Sequence, residues 1–378
     1  MKEDTLYQKI EHDLTTKILD GTLPAGAQLM PENQLTEHYG VSRITIRNAM
    51  SNLVERGLVQ RVRGKGSFVI ANGDATLKDA SRPSGVASPQ IAAIFPRFRD
   101  AHDTGILDSI YRTADALGYT VSIHQTYHDQ TMEERCIREC VRRGVAGIIV
   151  YPVQNDKYNE EIIKLVLRRF PIVLVDRSLE GINVNSVATD NESAAHEATK
   201  HLIDLGHTRI GLVTSPPEYA APLRSRYEGY LRAHNEAGLI ADERLLSYYN
   251  SGNIDENMDM ELSMMSSQIR TSREFIEGNR DMTALICTEP IEGVAMMLAA
   301  RELGRRLPET LSMIFFDEFP MADLFFVPPT VVRQNSREIG KIATELLHGL
   351  VAGEETDSKH IEVPAELVLR QSTFALHG

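Results

Sequence analysis

The sequence predicts an α+β winged helix-turn-helix domain at the N-terminus, followed by an α/β domain of two parallel-sheet lobes. Three observations predict it. Residues 1–70 place three amphipathic helical stretches ahead of a short, alternating, basic hairpin. From Ile91 onward, continuous Val/Ile runs alternate with helical stretches, and the pattern then repeats, as in parallel sheets covered on both faces. The chain has 378 residues, 42% hydrophobic and 25% charged, which is material for two or three globular domains and not for a disordered chain.

In the first segment, Leu6, Ile10, Leu14, Ile18 and Leu19 recur at helical spacing, and Gly21 follows where a helix stops. Pro24 and Gly26 mark a loop, and Pro31 opens a second helix that Gly40 closes. Ser42 offers an N-cap to a third helix with Ile46, Met50, Leu53 and Val54 on its apolar face. Residues 58–63 alternate like a strand, Gly64-Lys65-Gly66 turns, and residues 67–70 return. The expected domain is 1–70, with a small, polar, aperiodic linker at 71–89. The buried strands expected after it are 91–95, 120–123, 146–150, 172–175, 210–213, 284–287 and 312–316, with helices between them. Two such lobes in series make a cleft at the carboxyl ends of their strands. Residues 251–267 are acidic and Met-rich, and their pattern does not separate loop, interface and helix.

Charge locates one function. The net charge is −13, yet residues 1–70 carry +1, and Val41–Gly66 alone carry +5. A basic patch on an acidic protein points to a polyanion, although a solvated helix face would look the same. Placed in the major groove, the third helix would present Ser42, Arg43, Thr45 and Arg47. Arginine can donate to both guanine O6 and N7, and Ser42 and Thr45 can hold phosphates. The wing would lay Arg61, Arg63 and Lys65 along the backbone or minor groove, with Gly64 and Gly66 allowing close approach.

Other function classes are excluded or disfavoured. No stretch approaches the roughly 18 apolar residues of a membrane span, and the first residues lack a secretory apolar core. Three cysteines fit a reducing cytoplasm, the expected location. No HExxH, GxSxG, Walker A or GxGxxG pattern occurs, so no catalytic residue, metal or cofactor is expected. Cys136 and Cys140, one helical turn apart, are expected to pack, and His207 to hold a turn.

The run PENQLTEHYGVSRITIRNAMSNLVERGLVQRVRGKGSFV closely resembles the GntR-type winged-helix DNA-binding domain, and LYQKIEHDLTTKILDGTLPAGAQL its first helix and loop. Pro31-Glu32-Asn33 departs from the family's Ser-Glu-Arg or Ser-Glu-Asn, so no arginine phosphate contact is expected there. Residues 90–375 resemble the effector domain of LacI/GalR regulators, which is built like a periplasmic sugar-binding protein. The resemblance rests on FPIVLVDR, VATDNESAAHEATKHLIDLGHTRIGLV, RSRYEGYLRAHNEAGL, ELGRRLPETLSMIFFDE and PPTVVRQNSREIGKIATELL. A GntR-type head on such a domain is the arrangement of arabinose-repressor-like regulators.

The resemblance implies three crossings between lobes, near Asp190, Asp317 and Gln334. It puts about 90–189 and 317–350 in the first lobe, and about 190–316 and 351–375 in the second. It implies ligand contacts from Phe95, Phe98, Tyr151, Asp176, Arg177, Asp190, Arg226 and Glu289. Six of them have a plainer alternative: Asp176–Arg177 as an ion pair, Asp190 as a helix cap, Phe98 and Tyr151 as core, and Arg226 as a surface residue. Aromatic faces with Arg and Asp donors and acceptors suit a sugar, and Arg224 with Arg226 leave room for a phosphorylated one. Glu289-Pro290 stands where the family commonly has Asn-Asp. The expected whole is a homodimeric repressor released from a pseudo-palindromic operator by a sugar. The competing expectation is a sugar-binding or sugar-modifying protein whose head is an interaction module.

Overall fold

The computed structural model describes residues 6–19, 22–24, 26–55, 58–62, 66–69, 88–98, 100–153, 158–179, 181–216, 220–249, 258–318, 326–354 and 358–376. The chain forms two compact units that divide after residue 86.

In the first unit, helices α1 (Leu6–Leu19), α2 (Glu32–Tyr39) and α3 (Arg43–Glu55) precede a hairpin of β1 (Val59–Val62) and β2 (Gly66–Val69). Ile10, Leu14 and Ile18 meet Leu35, Ile46, Met50 and Leu53 in one small core. Asn52 of α3 donates to Glu11 of α1 at 2.9 Å, which sets the two helices in register. Gly40 ends α2 with φ 63°, a left-handed conformation that glycine adopts at low cost. The segment at 26–29 pairs its backbone with β2: Leu29 N–H donates to Ser67 O and Val69 N–H to Ala27 O. Gly66 has φ 112°, and a Cβ there would lie 2.7 Å from Gln28 Nε2, so glycine is required beside this third edge.

The second unit has two sheets. The first runs β13-β7-β6-β5-β3-β4, from β3 (Gln90–Phe95), β4 (Thr120–Gln125), β5 (Gly147–Val150), β6 (Ile172–Val175), β7 (Asn185–Thr189) and β13 (His360–Val363). The second runs β14-β12-β11-β10-β8-β9, from β8 (Ile210–Thr214), β9 (Leu246–Tyr248), β10 (Ala284–Cys287), β11 (Ser312–Phe316), β12 (Thr330–Arg333) and β14 (Glu366–Val368). Every pair is parallel except β12 with β14. The five leading strands of each lobe follow the doubly wound order 2-1-3-4-5, which leaves a crevice where the order reverses.

Helices cover both faces of each sheet. In the first lobe, α4 (Ala101–Ala116) and α11 (Ser336–Ala352) seal one face, and α5 (Gln130–Arg142) and α6 (Glu160–Leu167) the other. In the second lobe, α7 (Asn191–Asp204) and α8 (Ala221–Glu236) lie opposite α9 (Met258–Gly278) and α10 (Pro290–Glu302). The undecided Met-rich segment thus enters a helix from Met258, while residues 250–257 lie outside the described ones. His207 holds its turn as expected, bonding Thr283 Oγ1, Ser312 Oγ and Phe374 O at 2.9–3.0 Å.

The lobe boundaries differ from those expected. Residues 330–333 pair with β11 in the second lobe, and residues 360–363 pair with β7 in the first. The chain therefore crosses near 190, 334 and 364, and not at Asp317. Asp317 N–H donates to Val332 O within the second sheet, so the chain continues there after β11. Residues 317–318 and 326–333 thereby join the second lobe, and residues 351–354 and 358–363 the first.

Candidate functional sites

In the first unit, Ser42 begins α3. Thr45 N–H donates to Ser42 Oγ at 3.3 Å, and the two hydroxyls lie 2.9 Å apart. That ST cap satisfies a first-turn amide and leaves both hydroxyls at the exposed end of the helix. Arg43 and Arg47 are exposed, and Arg47 reaches Glu32 of α2 at 4.0 Å, a contact that solvent screens. Ile44, beside them, is 72% exposed and offers an apolar contact that the sequence reading missed. Arg61 pairs with Ser67 by backbone in the hairpin, but its side chain, and Arg63, Gly64 and Lys65, lie outside the described residues.

In the second unit, the expected ligand residues gather at the carboxyl ends of both sheets. Two equivalences relate the lobes. Tyr151 N–H donates to Ile94 O in the first, as Thr288 N–H does to Val213 O in the second. Asp176 ends β6 with φ 64° and donates its N–H to Val187 O, as Asp317 ends β11 with φ 68° and donates to Val332 O. Both aspartates sit in a backbone region that non-glycine residues rarely adopt, which aims their carboxyls across the strand ends.

Asp176 is buried and ion-paired. Its Oδ1 lies 2.8 Å from His102 Nε2, and His102 Nδ1 lies 2.8 Å from Ser336 Oγ, just past the crossing at 334. Burial opposes charge on both groups, but their pairing prevails: His102 is raised to about 9, and Asp176 is held well below the usual carboxylate range. Arg177 stacks over the Tyr151 ring at 5.1 Å and donates to Pro152 O at 3.2 Å. The expected partner Arg177 lies 3.9 Å from Asp176 Oδ2, and the closer ion pair is with His102, which the sequence did not suggest.

Phe95 departs from expectation. It is fully buried between Phe98 and Tyr151, with ring centroids 5.8 Å from each, because alternate residues of central β3 face the α4/α11 core. It supports the aromatic wall and does not form its surface. Phe98 is part-exposed, and Tyr151 is buried with its hydroxyl near Asp176. Asp190 is half-buried and caps α7, accepting from Ser193 N–H at 3.0 Å.

Arg226 is buried and not a surface residue. It donates to Asn191 Oδ1 at 2.8 Å and Thr288 O at 2.5 Å, and it stacks over Phe316 at 4.2 Å. Glu289 accepts from Ser215 Oγ at 3.0 Å, across the β8/β10 crevice of the second lobe. Several groups at the site were missed in the sequence. Arg97, after β3, contacts Asp100 and Asp103 at 3.2 Å and feels the charge of Glu289 in the other lobe. Gln334, at the second crossing, donates to Asp317 at 2.6 Å and accepts from Thr189 at 2.5 Å beside the first crossing. Burial raises the Asp317 carboxyl, against His102 and Arg226. Among the described residues, no group of three His, Cys, Asp or Glu is arranged to hold a metal ion, and no helix is long and apolar enough to cross a membrane.

Comparison with known proteins follows this division of the chain. Residues 6–69 match the family of bacterial regulatory proteins, gntR family, and residues 199–373 match the periplasmic binding protein-like domain. An arabinose metabolism transcriptional repressor of Halalkalibacterium halodurans is 26% identical, over 98% of this chain and 97% of that protein. A LacI-family regulatory protein from Chloroflexus aggregans superposes with a TM-score of 0.66 at 25% identity, over 76% of this chain and 99% of that one. The transcriptional regulator CelR in complex with cellobiose superposes with a TM-score of 0.64 at 20% identity, over 91% of this chain and 100% of that one.

Proposed function

We propose that this chain, in which a gntR-family DNA-binding head precedes a two-lobed periplasmic binding protein-like domain, is a transcriptional repressor of sugar-utilisation genes whose grip on operator DNA is set by a sugar in the inter-lobe cleft. The carrying observation is collinearity. A named arabinose metabolism repressor aligns over 98% of the chain, head and effector domain together. The site chemistry supports the same reading: Phe98 and Tyr151 offer aromatic faces, and Asp176, Arg177, Asp190, Arg226 and Glu289 surround them with directional donors and acceptors.

In this reading the protein acts in the cytoplasm as a homodimer and does no chemistry on its ligand. Two heads enter successive major grooves of a pseudo-palindromic site. Arg43 and Arg47 read base edges, Ser42 and Thr45 hold phosphates, and Arg61, Arg63, Gly64, Lys65 and Gly66 form the wing contact. Sugar binding favours one inter-lobe angle, and so one spacing of the heads. Linkage then requires operator DNA to weaken sugar binding by the factor by which sugar weakens operator binding.

The test is DNA binding by fluorescence anisotropy across a salt series, with and without arabinose and other free pentoses and hexoses. One sugar is expected to release the operator. Arg43→Ala is expected to reduce operator preference by about 1–3 kcal/mol while sparing random DNA. Lys65→Ala is expected to weaken both DNAs alike and to reduce the salt slope by about one. Equal loss on operator and random DNA for Arg43→Ala would remove it from base reading.

A further inference from the structure

Glu292 lies at the third position of α10, one turn beyond Glu289 and the carboxyl end of β10. It is 2% exposed, and its Oε2 accepts no hydrogen bond. A buried carboxyl oxygen without a partner costs about 1–3 kcal/mol or more, so natural folds rarely leave one idle. Its burial follows from close packing. Gly293 presses α10 onto β11 so tightly that a Cβ there would lie 2.3 Å from Phe315 Cδ1, and the preceding side chain is carried inward.

The surroundings say what this oxygen faces. On its own lobe Glu292 feels Glu289, which Ser215 orients at the β8/β10 crevice. From the opposite lobe it feels Arg97, whose hydrogen bonds go to Asp100 and Asp103 at 3.2 Å. Tyr249 at the end of β9 and the Cys287 thiol also lie within its field, and Tyr249 already bonds Ser272. Arg97 thus faces four carboxyls, Glu289, Glu292, Asp100 and Asp103, and is already bonded to the last two.

We infer that Glu292 is a ligand-contacting group of the effector cleft, and that with Glu289 it makes the second-lobe wall accept a neutral or cationic polyhydroxylated ligand and reject an anionic one. The unfilled Oε2 receives a hydroxyl or ammonium donor of the ligand. A phosphate or carboxylate there would face Glu289 and Glu292, while Arg97 is already bonded to Asp100 and Asp103. Burial and the neighbouring Glu289 push the Glu292 carboxyl up to about 8, as expected for an acid that lacks its counterpart. This inference rests on the cleft being the effector site, and it sharpens the sequence expectation that left room for a phosphorylated sugar.

The experiment is thermal unfolding of the full chain as wild type, E292Q and E292L. Each is measured without sugar and with free pentoses and hexoses, their amino forms and their phosphates. Without sugar, both variants are expected to unfold at the wild-type temperature or above it, because an unsatisfied carboxyl has been removed. A neutral or amino sugar is expected to stabilise the wild type, with the phosphate of the same sugar binding at least ten-fold more weakly. Both variants are expected to lose ten-fold or more in affinity for the stabilising sugar. A lower midpoint without sugar would make Glu292 a structural group and overturn the inference. So would a phosphate that binds as tightly as its parent sugar, or a variant with wild-type affinity. If no sugar stabilises the wild type, the effector reading fails, while the sugar-free midpoints still decide whether Glu292 is structural.

Discussion

The two lobes of the second unit share one strand order and place equivalent aspartates at equivalent strand ends, yet they treat them oppositely. Asp176 in the first lobe gives one carboxylate oxygen to His102, which Ser336 orients in turn. Asp317 in the second accepts from the neutral Gln334 amide, and burial raises its carboxyl. The second lobe also keeps Glu289 and Glu292 side by side at its crevice. The first lobe has converted its strand-end acid into a structural ion pair. The second gives Asp317 and Glu289 only neutral donors and leaves Glu292 Oε2 bare, which costs stability and leaves recognition capacity.

The largest expected effect breaks the first lobe. Asp176→Ala strands a buried imidazolium and is expected to cost about 3–5 kcal/mol by chemical denaturation of the full chain. The pair also gives a pH signature. His102, raised from 6.5 to about 9, contributes stability that is fully present below pH 6.5 and lost as the pH rises through 9. Asp176, lowered from 3.8, contributes stability that is present above that value and lost as the pH falls toward its native one. His102→Gln is therefore expected to flatten the midpoint profile between pH 6.5 and 9 by about 3 kcal/mol. An unchanged slope would mean that His102 is neutral.

The next effect asks whether the lobes pack alike. A Cβ on Gly340 of α11 would lie 2.4 Å from Ile106 O, and one on Gly229 of α8 would lie 2.1 Å from Glu192 O. Gly340→Ala and Gly229→Ala are each expected to cost about 1–3 kcal/mol in unfolding measurements. A much smaller loss at one would show that its helix pair can slide apart. The smallest effect sharpens the contrast at the aspartates. Asp317→Asn keeps an acceptor for Gln334 and removes a charge whose ionisation burial disfavours. Its midpoint at pH 7 is expected to equal or slightly exceed that of the wild type, where Asp176→Asn lowers it. A matching loss at both positions would erase the difference between the lobes.

The buried central strands were legible because Val173, Leu174, Ile286 and Ile314 belong to unbroken apolar runs that only a doubly covered sheet requires. The head was legible from helix punctuation at Gly40 and Ser42. The edges were not. β13 is His-Ile-Glu-Val and β14 is Glu-Leu-Val, too short and mixed to show a period, and so the crossing near 364 was missed. Arg226, Asp176 and Glu289 were placed at the strand ends by resemblance, and the structure has them there. His102 was not, since its partners lie 74 and 234 positions away, and no spacing rule reaches that far. Glu292 looked like an ordinary first-turn acid. Only its 2% exposure in the folded chain shows that it points inward.

The split path of the chain sets an order of events during synthesis. β7 pairs on one side with β6 and on the other with β13, which lies more than 150 residues further along. At about 5–20 residues per second, a ribosome needs roughly 10–30 s to supply that last strand. Throughout that interval the nascent first lobe presents the bare backbone edge of β7, a template for pairing with other chains. The second lobe is made almost whole within the same window. All of its sheet but β14 precedes closure of its neighbour, and any chaperone that attends this protein has its longest task at the Asn185–Thr189 edge.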